Sequence, residues 1–209
     1  MILEYLEGAV FGVLAGFIAL YFAWSGFRRK QCNIFLRLLR MGGKIRRILV
    51  LSLFAGLLLG CLGVWLCDGV NSGFTGFIII MSCLLSASLT DLRKREIHLD
   101  AMSFYAALLL LYHLWTGRGT AVAVSLIGAV VGAVLLGIPF VLRRDAVGLG
   151  DIALLAVCGM YYGAGGVVWL LFRTLIIMAV VAVSQLLRKR ATKKSELPIA
   201  PFLFIGALI

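Results

Sequence analysis

Eight apolar runs divide the chain, at roughly 8–27, 48–67, 74–90, 99–116, 120–142, 152–163, 166–187 and 197–209. Polar and charged residues gather in the connectors between them. Most runs approach the about 20 residues an α-helix needs to cross a bilayer. The pattern predicts an all-α fold, a polytopic membrane helical bundle of about six to eight transmembrane helices. It leaves no room for a separate soluble domain. Two runs are awkward. Run 152–163 is short, and run 197–209 holds Pro198 and Pro201. Each is expected to be a partial or re-entrant helix, tolerated where protein or water covers its backbone. Pro139 is expected to kink the fifth span near its end. The spacings Gly56/Gly60, Gly128/Gly132 and Gly159/Gly163 read as places where helices pack closely. The expected organisation is an N-terminal membrane region, 1–75, with a basic loop at 28–47, followed by a membrane core, 76–209.

Composition supports this picture. Hydrophobic residues fill 63% of the 209 positions, against about half in soluble domains. The start, MILEYLEG, lacks the basic residues of a secretory signal and reads as a first span that stays. Net charge is +11, with 20 basic and nine acidic residues. Such an excess alone would suggest nucleic acid or anionic lipid as partner. Topology accounts for it better. If the loop at 28–47 is cytoplasmic and the N-terminus outside, alternation also puts DLRKREIH, RRDAVGLGD and RKRATKK inside. Of the 20 basic residues, 18 then lie inside, and only Arg118 and Arg173 do not. The expected location is therefore the cytoplasmic (inner) membrane, with anionic lipid against the basic face and no nucleic acid. The loop 28–47, with Ile34, Leu36, Leu38 and Leu39, has the makings of a short amphipathic helix in the headgroup region. Arg173, inside the seventh run, snorkels or pairs with a buried acid, and snorkelling is the simpler reading. The five cysteines form no CxxC pair and no metal-ligand spacing, so no metal site is expected.

Against this background two acids stand out, Asp91 in SASLTDLRKREI and Asp151 in AVGLGDIALL. A carboxylate at a membrane border is costly unless solvated or partnered, so it is a functional candidate. Loop parity puts both at the cytoplasmic face. Two neighbouring carboxylates cannot easily both ionise, so they share one proton. The ionised member can take a proton from water while the other donates to a scissile carbonyl. Gly148 and Gly150 would let a substrate strand come close. The structural alternative is that Asp91 ends a helix beside Arg93, Lys94 and Arg95, and that Asp151 is the N-cap or first-turn acid of the sixth helix. Taken singly, each aspartate fits that reading better; matched positions on one face reverse the balance. Asp100 and Asp145 lie near helix ends, where capping is the default reading. His98 reads as a polar surface residue, with a local proton carrier as the alternative, and His113 as a packing or interface residue.

The stretches SLTDLRKREI, GLGDIALLAVCGMYYG and LPIAPFLFIGALI occur in the order and spacing of the type IV prepilin peptidase family, which the chain resembles over roughly 76–209. That family comprises integral-membrane GxGD aspartyl peptidases. The resemblance implies that Asp91 and Asp151 are the catalytic pair, using no cofactor. It further implies supporting roles for Ile97, Gly148, Gly150, Pro201 and Phe202. The implied reaction is removal of the short basic leader from a type IV prepilin or pseudopilin at the cytoplasmic membrane face. Two positions depart from the family pattern. Ile97-His98-Leu99 stands where Ile-Pro-Asn is usual, and Ala153 where Lys is frequent. Both bear on substrate positioning more than on the acid pair. Many members carry two CxxC pairs associated with N-methylation, whereas the first loop here has only Cys32, so methyltransferase activity is not implied. Two other readings compete. A non-catalytic scaffold of a pilus or secretion system would keep the fold and tolerate loss of either Asp. A proton-coupled transporter would place acids near the midplane within inverted repeats, which the sequence does not show.

Overall fold

The structure is a computed structural model that describes residues 2–25, 43–67, 72–116, 119–142, 148–187 and 198–209. Seven helices account for nearly all of them, with no strand among the described residues. They are α1 (Ile2–Ser25), α2 (Gly43–Leu66), α3 (Ser72–Lys94), α4 (Leu99–Trp115), α5 (Gly119–Leu142), α6 (Leu149–Leu187) and α7 (Ala200–Leu208). Three of these, α3, α5 and α6, are long and apolar enough to cross a membrane. The fold is thus a helical membrane bundle, as the run pattern predicts. Residues 26–42, 143–147 and 188–197 lie outside the described residues, and with them Cys32, Asp145 and most of the basic segment at 28–47.

The chain forms two compact units, Met1–Ser86 and Ala87–Ile209. In the first, α1 and α2 run antiparallel with glycines facing each other. Gly12 meets Gly56 and Gly60, Gly16 meets Ser52 and Gly56, and Gly8 meets Gly60 and Val64. A Cβ on Gly12 would overlap the Gly56 carbonyl oxygen, so only glycine allows this backbone approach. The first part of α3 completes the unit. Phe74 packs edge-on against Phe11, with ring centroids 6.2 Å apart. The Ser82 hydroxyl donates to the Ala15 carbonyl at 3.0 Å.

The second unit repeats the device between α5 and α6. Gly128 meets Gly159, and Gly132 meets Leu155, again antiparallel. Thus Gly56/Gly60, Gly128/Gly132 and Gly159 are packing positions, as their spacing suggests. Gly163 is different. It interrupts α6 with φ 70° and ψ 179°, a left-handed angle that glycine adopts without a Cβ penalty. The sequence suggests a four-residue connector, GAGG, between two spans. In the structure helical turns resume directly after this one residue. The first arm, 149–162, is about 21 Å long and the second, 164–187, about 36 Å, at about 1.5 Å per residue. The first arm falls short of the about 30 Å hydrocarbon core, consistent with a partial crossing. With nine residues, α7 is about 14 Å long and cannot cross. It packs on the second arm of α6, where Gly206 lies against Thr174 and Leu170. At α5, the helix continues through Pro139 to Leu142.

Exposure follows the membrane reading. On α5, Val124, Ile127, Val130, Val134, Ile138 and Val141 recur every three or four residues, each about half exposed or more. A stripe this long and apolar suits lipid. Helix α3 is the contrast: 72% of its apolar window is buried, against 17% for α5 and for α6. It also carries a row of buried hydroxyls. Ser86 Oγ donates to the Cys83 carbonyl at 2.8 Å, and Thr90 Oγ1 to that of Ala87 at 2.9 Å. These bonds satisfy groups that burial would otherwise leave costly.

Candidate active site

The site is assembled at the end of α3, the start of α6 and the start of α7, all within the second unit. Asp91 lies one turn before the C-terminus of α3, where the helix dipole disfavours an acid. Its carboxylate is buried, at 6% exposure. A second helix compensates. The backbone N–H of Ala200, at the start of α7, donates to Asp91 Oδ2 at 3.0 Å, and the Ile199 N–H adds to it. One turn earlier on α3, Ser88 Oγ donates to the Ala200 carbonyl at 3.1 Å. Ala200 is therefore held at both its backbone polar groups by two side chains three residues apart on one helix face. Pro201 and Phe202 occupy the first turn of α7. Proline fits there because its missing N–H would have no intrahelical acceptor anyway.

Helix α3 ends on Arg95, at φ 56°. Its N–H bonds back to the Asp91 carbonyl at 2.9 Å, the five-to-one closure of a left-handed cap. For a side chain other than glycine this conformation costs about 1–2 kcal/mol. It turns the chain out of the helix and leaves the Arg95 guanidinium acting electrostatically on the Asp91 carboxylate. Residues 96–98 follow without helical structure, and His98 caps α4 in an extended conformation. His98 is not the surface residue its position suggests. It is partly buried, and its Nε2 is fully buried with no hydrogen-bond partner.

Ile97 passes directly over Gly150. A Cβ on Gly150 would lie 2.7 Å from Ile97 Cβ and 2.8 Å from its carbonyl oxygen. No side chain fits there, so the second glycine of GLGD is fixed by the approach of another backbone segment. Asp151 sits in the first turn of α6. Its N–H bonds to the Gly148 carbonyl at 3.1 Å, and Gly148 N–H returns a long bond to Asp151 Oδ2 at 3.3 Å. The second bond is the acidic half of a capping box, the other half being absent because Gly148 has no side chain, and Asp151 is a first-turn acid as its local sequence suggests. The Asp91 carboxylate also lies within electrostatic reach of Asp151.

The structure thus brings Asp91, Asp151, Gly148, Gly150 and Ile97 together with the Pro201–Phe202 turn. Asp100 stands apart, exposed in the first turn of α4. His113 bridges α4 to α6, its Nε2 lying 3.0 Å from the Met160 carbonyl oxygen, in keeping with a packing role. Arg173 is partly buried within electrostatic reach of Tyr162. Two contributors escape sequence reasoning, Ser88 and the Ala200 backbone. The available signal was a hydroxyl one turn before Asp91 on an otherwise apolar face.

Comparison with known proteins bears on the same segment. No curated protein and no solved structure matches the chain. The model of the type IV leader peptidase family matches residues 78–183, a segment that holds both aspartates and Gly148–Gly150 and ends before α7. With just over half of its length matched, the chain belongs to the type IV leader peptidase family.

Proposed function

We propose that this protein is an integral-membrane aspartic endopeptidase of the GxGD kind. Its reaction is removal of the short basic leader of a type IV prepilin or pseudopilin. The observation that carries the reading is that Asp91 and Asp151, two carboxylates from distant parts of the sequence, lie within electrostatic reach of each other at the ends of otherwise apolar helices. In this reading they share a proton and activate water against the scissile carbonyl, with no covalent intermediate. The peptidase core comprises residues 76–209, and Gly150 and Ile97 keep the two acid-bearing segments in register.

The loop charges support a multi-pass protein of the cytoplasmic membrane, with N-terminus outside and aspartates at the cytoplasmic face. That is the height at which the apolar helix of a prepilin would meet its leader. Both the leader and these loops are basic, so long-range attraction does not drive binding. Lateral packing of the substrate helix does, while the loop charges set topology and contact anionic lipid.

The test is leader cleavage of a panel of co-expressed prepilins and pseudopilins. Asp91→Asn and Asp151→Asn should each lower cleavage by about 10²–10⁴-fold at unchanged membrane levels. Cleavage surviving either substitution would overturn the pair. A wild type inactive on the whole panel would favour the scaffold reading.

A further inference from the structure

The two aspartates are not held alike, and the difference assigns their roles. Asp91 receives two backbone N–H groups, from Ala200 at 3.0 Å and from Ile199, and Arg95 adds a positive charge. Among the described residues Asp151 receives one N–H, from Gly148, at the long distance of 3.3 Å. The Asp91 carboxylate also lies within electrostatic reach of it. Each carboxylate meets a helix N-terminus, α7 at Asp91 and α6 at Asp151, while Asp91 also sits in the last turn of α3, whose dipole opposes its charge. Burial opposes charge at both carboxylates and is the stronger influence at each; what differs is what acts against it, two amide donors and a guanidinium at Asp91 and one long N–H bond at Asp151. An ionised carboxylate only accepts hydrogen bonds, which is what the surroundings of Asp91 supply.

We propose that Asp91 is the ionised member of the pair and takes the proton of water, that Asp151 holds the shared proton and donates it, and that Ser88 is the positioning residue that fixes this order. The inference rests on the peptidase reading for its chemistry. Water oxygen adds to the scissile carbonyl carbon, its proton passing to Asp91, while the Asp151 proton passes to the carbonyl oxygen. The neutral diol then collapses. Asp151 recovers a proton from one hydroxyl, Asp91 gives its proton to the leaving nitrogen, and the C–N bond breaks. The products are a carboxylic acid and an amine, and the pair returns to its starting state. Ser88 acts through Ala200: by donating to the Ala200 carbonyl at 3.1 Å, it holds the Ala200 N–H on Asp91.

Protonation can be read without cleavage. A diazo ester alkylates a carboxyl that carries a proton, taking up that proton and losing N₂. The full-length protein in nanodiscs at neutral pH would be treated with such a reagent, and the ester located by peptide mass spectrometry. The expected result is Asp151 labelled over Asp91 by roughly tenfold or more. In Ser88→Ala the preference should fall at least about threefold, and Ser88→Thr, which keeps the hydroxyl, should restore it. Equal labelling, preferential labelling of Asp91, no label on either, or a preference unmoved by Ser88→Ala would each overturn the assignment. Failure of the peptidase reading looks different: no prepilin is cleaved, yet the labelling remains asymmetric.

Discussion

The helix pairs α1/α2 and α5/α6 are built alike, and only the second leads into the candidate site. In both, glycines at a spacing of four bring antiparallel backbones so close that a Cβ would overlap the opposite chain. The first pair stops at packing. In the second, the same α6 that Gly159 docks onto α5 begins with Gly148–Asp151. Its Gly150 is glycine for another reason, because the non-helical backbone at Ile97 crosses it. A helix-period glycine thus marks a packing seam, whereas a glycine beneath a crossing segment marks where two pieces of a site are joined.

This contrast can be broken or sharpened by substitution. The largest effect is expected at Gly150. Gly150→Ala must displace Ile97, and a shift of about 1 Å between reacting groups costs roughly 10²-fold in rate. Cleavage assays should show that loss with the thermal midpoint little changed. Next come the seam glycines of the second unit. Gly128→Ala and Gly159→Ala should overpack α5 against α6, costing about 1–3 kcal/mol and lowering cleavage as well, because α6 bears Asp151. In the first unit, Gly12→Ala should cost a similar about 1–3 kcal/mol in the unfolding midpoint, while the folded fraction keeps its cleavage rate. If Gly12→Ala and Gly150→Ala behaved alike in both assays, the distinction would fail. The smallest effect is expected at Asp100. Exposed and away from the pair, Asp100→Asn should leave cleavage within about twofold and stability within about 0.5 kcal/mol.

Much of this was legible one segment at a time. The apolar runs gave the helices, because a helix in lipid must satisfy its backbone internally and needs a set length. Asp91 and Asp151 stood out because charge is rare among these runs. The capping role of Asp151 was also readable, since first-turn acids obey local rules. Less accessible was the break in α6. GAGG announces an interruption, but whether four residues or one leave the helix depends on what packs beside Gly163, where Val124 lies 3.6 Å from the position of a Cβ. His98 misled because it stands in a connector between two helices, where exposure is the default, while its Nε2 is buried.

By itself, then, the sequence determined the all-helical membrane class, the helix positions, the two unusual acids and the resemblance that names their chemistry. These follow from hydrophobic length, charge and short motifs, all local along the chain. Tertiary structure alone decided what holds each acid. Asp91 is 109 residues from the amide that caps it, and Gly150 is fixed by a residue 53 positions earlier. Such pairings depend on which helix ends meet in space, and a local pattern does not encode that.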